Sequence, residues 1–177
     1  MLTREKTVFV VVDIQGNLYQ AMHNKETLLA NNRKLIKGAA VLGLPVILTE
    51  QINIGSTIPE ILELLPGITP IVKSSFSSCK EASFMEAIKA LDVKQVILSG
   101  IEAHICVYQT AIDLIAMGFK VYLATDAIAS RTAENKEIAL RRLTLSGVVL
   151  SSVEMALFDL LKTATDPKAR EIFKIVK

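Results

Sequence analysis

Short blocks of β-branched and aliphatic residues recur along the chain, each followed by a polar turn and then by apolar positions spaced three and four residues apart. "TVFVVVDIQ" leads to "NKETLLANNRKLIKGAAVLG", "LPVILTEQ" to "TIPEILELL", and "TPIVKSSF" to "KEASFMEAIKALD". "VKQVILSG" leads to "ICVYQTAIDLIAMG", "FKVYLATDAIAS" to "TAENKEIALRRLTLSG", and "VVLSSVEMALFDLLKTA" supplies a last strand and helix. The strand blocks are apolar throughout instead of alternating, which requires burial on both faces. That pattern predicts an α/β fold: a six-stranded parallel sheet flanked by helices. Gly43, Gly118 and Gly147 stand where helices should end in a left-handed residue. "TDPKAREIFKIVK" predicts a terminal helix whose Ile172, Phe173, Ile175 and Val176 pack onto the body or a neighbour.

No linker, low-complexity tract or repeat divides the 177 residues, so a single domain is expected over 1–177. Half the residues are apolar, yet no apolar run reaches the roughly 18 residues that a membrane span needs. The start "MLTREKTVFVVVDIQ" has no signal-peptide core or cleavage site, so a cytoplasmic location is expected, with no membrane partner. A net charge of +2 and the lack of a Lys/Arg stripe with interleaved aromatics argue against a nucleic-acid partner. Two cysteines, Cys79 and Cys106, fit reduced thiols better than a disulfide framework.

Ligands of open parallel sheets bind beyond the carboxyl ends of the strands. Strand one is expected to end at Asp13, strand three at Lys73, strand four at Gly100 with Cys106 shortly beyond, and strand five at Asp126. A carboxylate at the tip of a buried strand suits a general base, although Asp13 could equally cap the following turn. Lys73 either snorkels to solvent or answers a carboxylate in a cleft. Cys106 stands at the mouth of a helix, where the dipole and a nearby ammonium would favour thiolate; the competing reading is a small buried hydrophobe. Cys79 lies in a polar loop without such framing and reads as packing.

Other chemistries are absent from the text of the chain. There is no complete dinucleotide fingerprint, no "GxxxxGK[ST]" loop and no "GxSxG" elbow. The two histidines, His23 and His104, are too few for a His-rich metal site, so no metal and no cofactor is expected.

The blocks "VVVDIQ" (Val10–Gln15), "VKSSFS" (Val72–Ser77), "SGIEAHICVYQTAIDL" (Ser99–Leu114) and "VYLATDAIASR" (Val121–Arg131) occur in order over nearly the whole chain. In these the sequence resembles the isochorismatase-like cysteine hydrolases, and most closely the isochorismatase domain-containing proteins. The resemblance implies a three-layer Rossmann-like fold, assembly into homo-oligomers (dimers, tetramers or larger), and a catalytic triad at Asp13, Lys73 and Cys106. It further implies a cis peptide at Ile101–Glu102 and an oxyanion hole formed by the N–H groups of Glu102 and Cys106. "TEQINIGSTIPE" after strand two lacks the Asp-x-His metal motif of the family's nicotinamidases, and Cys106 stands where vinyl-ether-cleaving members lack a cysteine. The resemblance therefore points to a small amide or related C–N bond as substrate, cleaved through a thioester. Gln15, Gln51, Phe76, Glu102, His104 and Tyr108 are expected to line the substrate pocket. Two other readings stand beside this one: an oligomeric binding or scaffold protein whose pocket has little activity, and a redox-responsive pair formed by Cys79 and Cys106.

Overall fold

The computed structural model describes residues Met1–Lys177. Six strands, β1 (Thr7–Val12), β2 (Val46–Gln51), β3 (Ile71–Lys73), β4 (Gln95–Ile101), β5 (Lys120–Ala129) and β6 (Val149–Ser151), form one sheet in the order β3-β2-β1-β4-β5-β6. Every pairing is parallel, as the unbroken apolar strand blocks require. The helices are α1 (Gly16–Gln20), α2 (Lys25–Leu42), α3 (Pro59–Leu62), α4 (Ala82–Ala90), α5 (Tyr108–Ala116), α6 (Ala133–Leu145), α7 (Val153–Leu161) and α8 (Ala169–Val176).

Alternate residues of a strand face opposite sides of the sheet, and β1 shows both faces buried. Phe9 and Val11 enter the core built with α2, α7 and α8, whereas Val8, Val10 and Val12 enter the core built with α4, α5 and α6. All six β1 residues are buried. The terminal helix packs as its pattern predicts: Ile172 is fully buried in the first core, with Phe173, Ile175 and Val176 against it. A polar tie crosses that same interface. Asn32 on α2 donates to the carbonyls of Leu28 and Ala127 at 2.8 and 2.9 Å and accepts the Ser99 hydroxyl at 2.6 Å, so this buried amide satisfies its groups across three elements.

The strand order reverses direction between β1 and β4, and such a switch point opens a crevice at the carboxyl edge. Val12 is in register with Gly100 there, which brings the exits of β1 and β4 side by side. Gly100 has φ +118°, and a Cβ on it would meet the Val12 carbonyl oxygen at 2.0 Å; only glycine allows the two backbones this close.

One expected boundary is corrected. Strand β5, expected to end at Asp126, continues through it to Ala129, with an irregularity inside the strand. Pairing with β4 jumps from Leu98↔Leu123 to Gly100↔Ile128, so residues 124–127 bulge out of that ladder. The Asp126 carboxylate turns to the start of α7, accepting the Val153 N–H at 2.9 Å, and takes no place beside Asp13, Lys73 and Cys106.

Candidate active site

Asp13 follows β1 directly and adopts φ +53°, a left-handed conformation uncommon for a residue with a side chain. Its backbone N–H still reaches the Thr49 carbonyl of β2 at 3.2 Å. The carboxylate is held at both oxygens: the Thr49 hydroxyl donates to Oδ1 at 2.7 Å, and Lys73 Nζ lies 2.7 Å from Oδ2. Capping of the next turn is therefore not its task.

Lys73 ends the edge strand β3, yet its side chain is fully buried. Besides Asp13, the ammonium donates to Gln51 Oε1 at 2.7 Å and to the carbonyls of Ser75 and Phe76 at 3.2 Å each. The alternative that Lys73 snorkels to solvent is excluded. Full hydrogen bonding with one carboxylate is what a buried ammonium needs to stay charged.

Cys106 belongs to a single wide turn, Ala103–Val107, whose Ile105 and Val107 N–H groups both reach the Glu102 carbonyl, at 3.1 and 3.2 Å. This turn carries the chain from β4 into α5. Cys106 is 7% exposed, with its thiol beside the Asp13 carboxylate. Its pKa is pushed up to about 12, first by burial and then by the Asp13 charge, with Lys73 acting in the opposite direction. The expectation that a helix start and an ammonium would favour thiolate is corrected: the resting group is a thiol, because desolvation and a carboxylate in contact outweigh an ammonium already spent on that carboxylate.

The residues expected around this centre divide into two sets. Gln15 is fully buried and its amide serves backbone, donating to the carbonyls of Gln51 at 3.0 Å and Gly55 at 2.5 Å while accepting the Gln51 N–H at 2.7 Å. It ties the exit of β1 to the exit of β2. Gln51 bridges Lys73 to the Ser74 carbonyl, 2.9 Å from its Nε2. Phe76 points outward, more than half exposed. Tyr108 lies half-buried with the Arg142 guanidinium 4.5 Å from its ring centroid. His104 turns its Nδ1 to Ser130 Oγ at 2.9 Å and to Glu102 Oε2 at 3.1 Å.

The Ile101–Glu102 peptide is cis. Glu102 is buried, and Arg131 Nε bonds its Oε1 at 2.5 Å. Two participants had no role from sequence. Thr49 could have been found as the one hydroxyl at the end of the apolar run in β2; Arg131 closed the block "VYLATDAIASR", with nothing to indicate its partner. No group of three or more His, Cys, Asp and Glu side chains is arranged to hold a metal ion, and no helix is long and apolar enough to cross a membrane.

Fold and site together define a three-layer α/β protein with a buried carboxylate, ammonium and thiol at the switch point of a parallel sheet. The isochorismatase domain profile matches residues 7–155, and the chain belongs to that family. Membership supports hydrolase-type chemistry. The chain is 35% identical to isochorismatase domain-containing protein 2 of Danio rerio over 178 aligned positions, covering 99% of this chain and 89% of the relative. It is 32% identical to isochorismatase domain-containing protein 1 of the same fish, again over 99% of this chain, but spans only 62% of that longer relative. Among solved structures, the MAR1 ribonuclease of Caenorhabditis elegans superposes with a TM-score of 0.93 at 31% identity, covering 99% of this chain and 91% of that one.

Proposed function

We propose that the protein is a cysteine hydrolase that cleaves a small amide or related C–N bond through a thioester on Cys106. The observation that carries this reading is that one buried carboxylate, Asp13, pairs with the Lys73 ammonium and stands beside the Cys106 thiol. A thiol raised to about 12 is a poor standing nucleophile, so attack requires a base in contact. Asp13 takes the proton as Cys106 Sγ bonds to the acyl carbon. Lys73, held by three hydrogen bonds to Gln51, Ser75 and Phe76 beside Asp13, pairs the remaining charge. The acyl oxygen becomes an oxyanion, received by the backbone N–H groups of Glu102 and Cys106. Protonated Asp13 then gives its proton to the departing nitrogen as the C–N bond breaks. Water adds to the thioester, releasing a carboxylic acid and restoring the thiol.

The polar groups that satisfy Lys73 are all supplied by the protein, which leaves Phe76 and the outer turn to meet substrate. Small neutral acyl donors suit a centre whose charges are internally paired. Copies of the chain assembling around such sites accord with the exposed apolar side chains Ile52, Val72 and Phe76 near the carboxyl edge.

The test is turnover of a panel of small primary and secondary amides by the parent protein and by Cys106→Ala. The expected result is hydrolysis by the parent, no hydrolysis by the variant, and an acyl adduct on Cys106 in the intact mass of the parent under acid quench. A variant that hydrolyses at the parent rate overturns the assignment. A parent that turns over nothing, with a Cys106 inert to alkylation, favours the binding or scaffold reading.

A further inference from the structure

Glu102 takes no part in the proton transfers proposed above, yet its carboxylate is buried beside them, with only 4% of the residue exposed. Burying a carboxylate is costly unless it is paired and hydrogen-bonded. Its two oxygens face different partners: Oε1 receives the Arg131 Nε–H at 2.5 Å, while Oε2, which makes no hydrogen bond, lies 3.1 Å from His104 Nδ1. The same residue is also held by its carbonyl, which accepts the N–H groups of Ile105 and Val107. Arg131 comes from beyond β5 and Ile105 from the turn after β4, so Glu102 is pinned from two elements at once.

The Glu102 charge brings a local disadvantage, because it is among the groups that push the Cys106 thiol up. A carboxylate that opposes the nucleophile needs another reason to stand there, and its backbone supplies one. Side chain and carbonyl are fixed while the N–H is left to be aimed. An oxyanion donor is effective only when its direction is set before the reaction, since misplacement by about 1 Å in such sites costs on the order of a hundredfold in rate.

We propose that Arg131, with His104, is a positioning residue: holding the Glu102 carboxylate, it fixes the Glu102 N–H as an oxyanion donor for acyl transfer at Cys106. The proposal rests on the acyl-transfer reading of the site. Arg131 is half-exposed, so its replacement removes the grip without opening a cavity in either core.

Two probes of Cys106 separate positioning from general damage. p-Nitrophenyl acetate acylates a thiol through an oxyanion, releasing p-nitrophenolate; iodoacetamide alkylates it by displacing iodide at a saturated carbon, with no oxyanion. Any change in thiolate population is common to both reactions, so the ratio of their Cys106-dependent rates isolates the donor. Cys106→Ala supplies the background for each. Arg131→Gln is expected to lower the ratio about tenfold or more, through the limiting acylation rate and not the half-saturating concentration. Arg131→Lys, which restores a cation opposite Glu102, is expected to recover most of it. An unchanged ratio in Arg131→Gln, or a Lys variant as slow as the Gln variant, overturns the proposal. A parent protein whose acylation equals that of Cys106→Ala overturns the acyl-transfer reading itself, and the positioning role falls with it.

Discussion

Lys73 Nζ lies 2.7 Å from Asp13 Oδ2, and neither side chain is more than 1% exposed. A pair so deeply buried is asymmetric in its energetics: removing one partner strands the other charge, whereas replacing both can be close to neutral. Lys73→Met is therefore expected to destabilise the fold by about 3–5 kcal/mol, and the double variant Asp13→Asn with Lys73→Met by clearly less than the sum of the two single changes. Urea unfolding of the four proteins measures the coupling. Additive losses would show that the pair does not behave as a unit.

Asp13 plays opposed roles toward Cys106, and its removal separates them. As a charge it raises the thiol; in the proposed mechanism it is also the base that accepts the proton. In Asp13→Asn the raising charge is gone while the Lys73 ammonium, which lowers the thiol, remains. The pH at which Cys106 reacts with iodoacetamide should therefore move downward from the parent's, whose rate should still be rising at pH 10. Amide hydrolysis should move the other way, falling by about a hundredfold or more at every pH, because no base stands in contact. A variant that loses both alkylation and hydrolysis, or keeps both, would contradict the assignment of Asp13.

The sheet was legible in the sequence because parallel strands buried on both faces cannot alternate, so "VFVVV" and "QVILS" announce their environment without reference to anything distant. Helix ends were legible for a similar local reason at Gly43, which adopts φ +74° after α2. The boundary of β5 was not, since a bulge depends on the neighbouring strand, and nothing local in "ATDAIA" shows that the chain continues as strand past Asp126. The three polar groups of the site could be placed on one edge by strand order alone. Their pairing could not: whether Lys73 snorkels or meets Asp13 is decided by the Ser75 and Phe76 carbonyls folding back over it. The protonation of Cys106 was misjudged for the same reason, because burial is a property of the assembled site and not of a helix start.

Cys79 offers a control within the same protein. It is also buried, its N–H bonds Ser77 Oγ at 3.3 Å, and its thiol is pushed up to about 12 by burial and then by Asp113. Its Sγ donates to the Thr110 carbonyl at 3.8 Å and not to a carboxylate. Cys79→Ala should cost about 1 kcal/mol in unfolding free energy and leave amide turnover within about twofold of the parent. Mild oxidation of the parent should leave both thiols free. Loss of two hydrogens in the intact mass, with a Cys79–Cys106 linkage in the peptide map, would instead support the redox reading.

Gly100 marks the point where fold and site cannot be separated. Its φ of +118° is strained for any residue with a Cβ, and the Cβ of alanine would stand 2.0 Å from the Val12 carbonyl oxygen. That oxygen is backbone in the central strand β1, buried on both faces, so it cannot swing aside as a side chain would. Relief requires β4 to move away from β1, and those strands carry Cys106 and Asp13 respectively. Gly100→Ala should therefore lose roughly 3 kcal/mol or more of stability, beyond the range of ordinary substitutions. Any folded fraction should lose hydrolysis more steeply than it loses alkylation of Cys106, because in the proposed mechanism the link from Gly100 to Glu102 carries the oxyanion donor whereas the thiol rides on the following turn. Urea unfolding together with the two rates on the folded protein measures both effects. Stability within about 1 kcal/mol of the parent would mean that the strands can part at the switch point without cost.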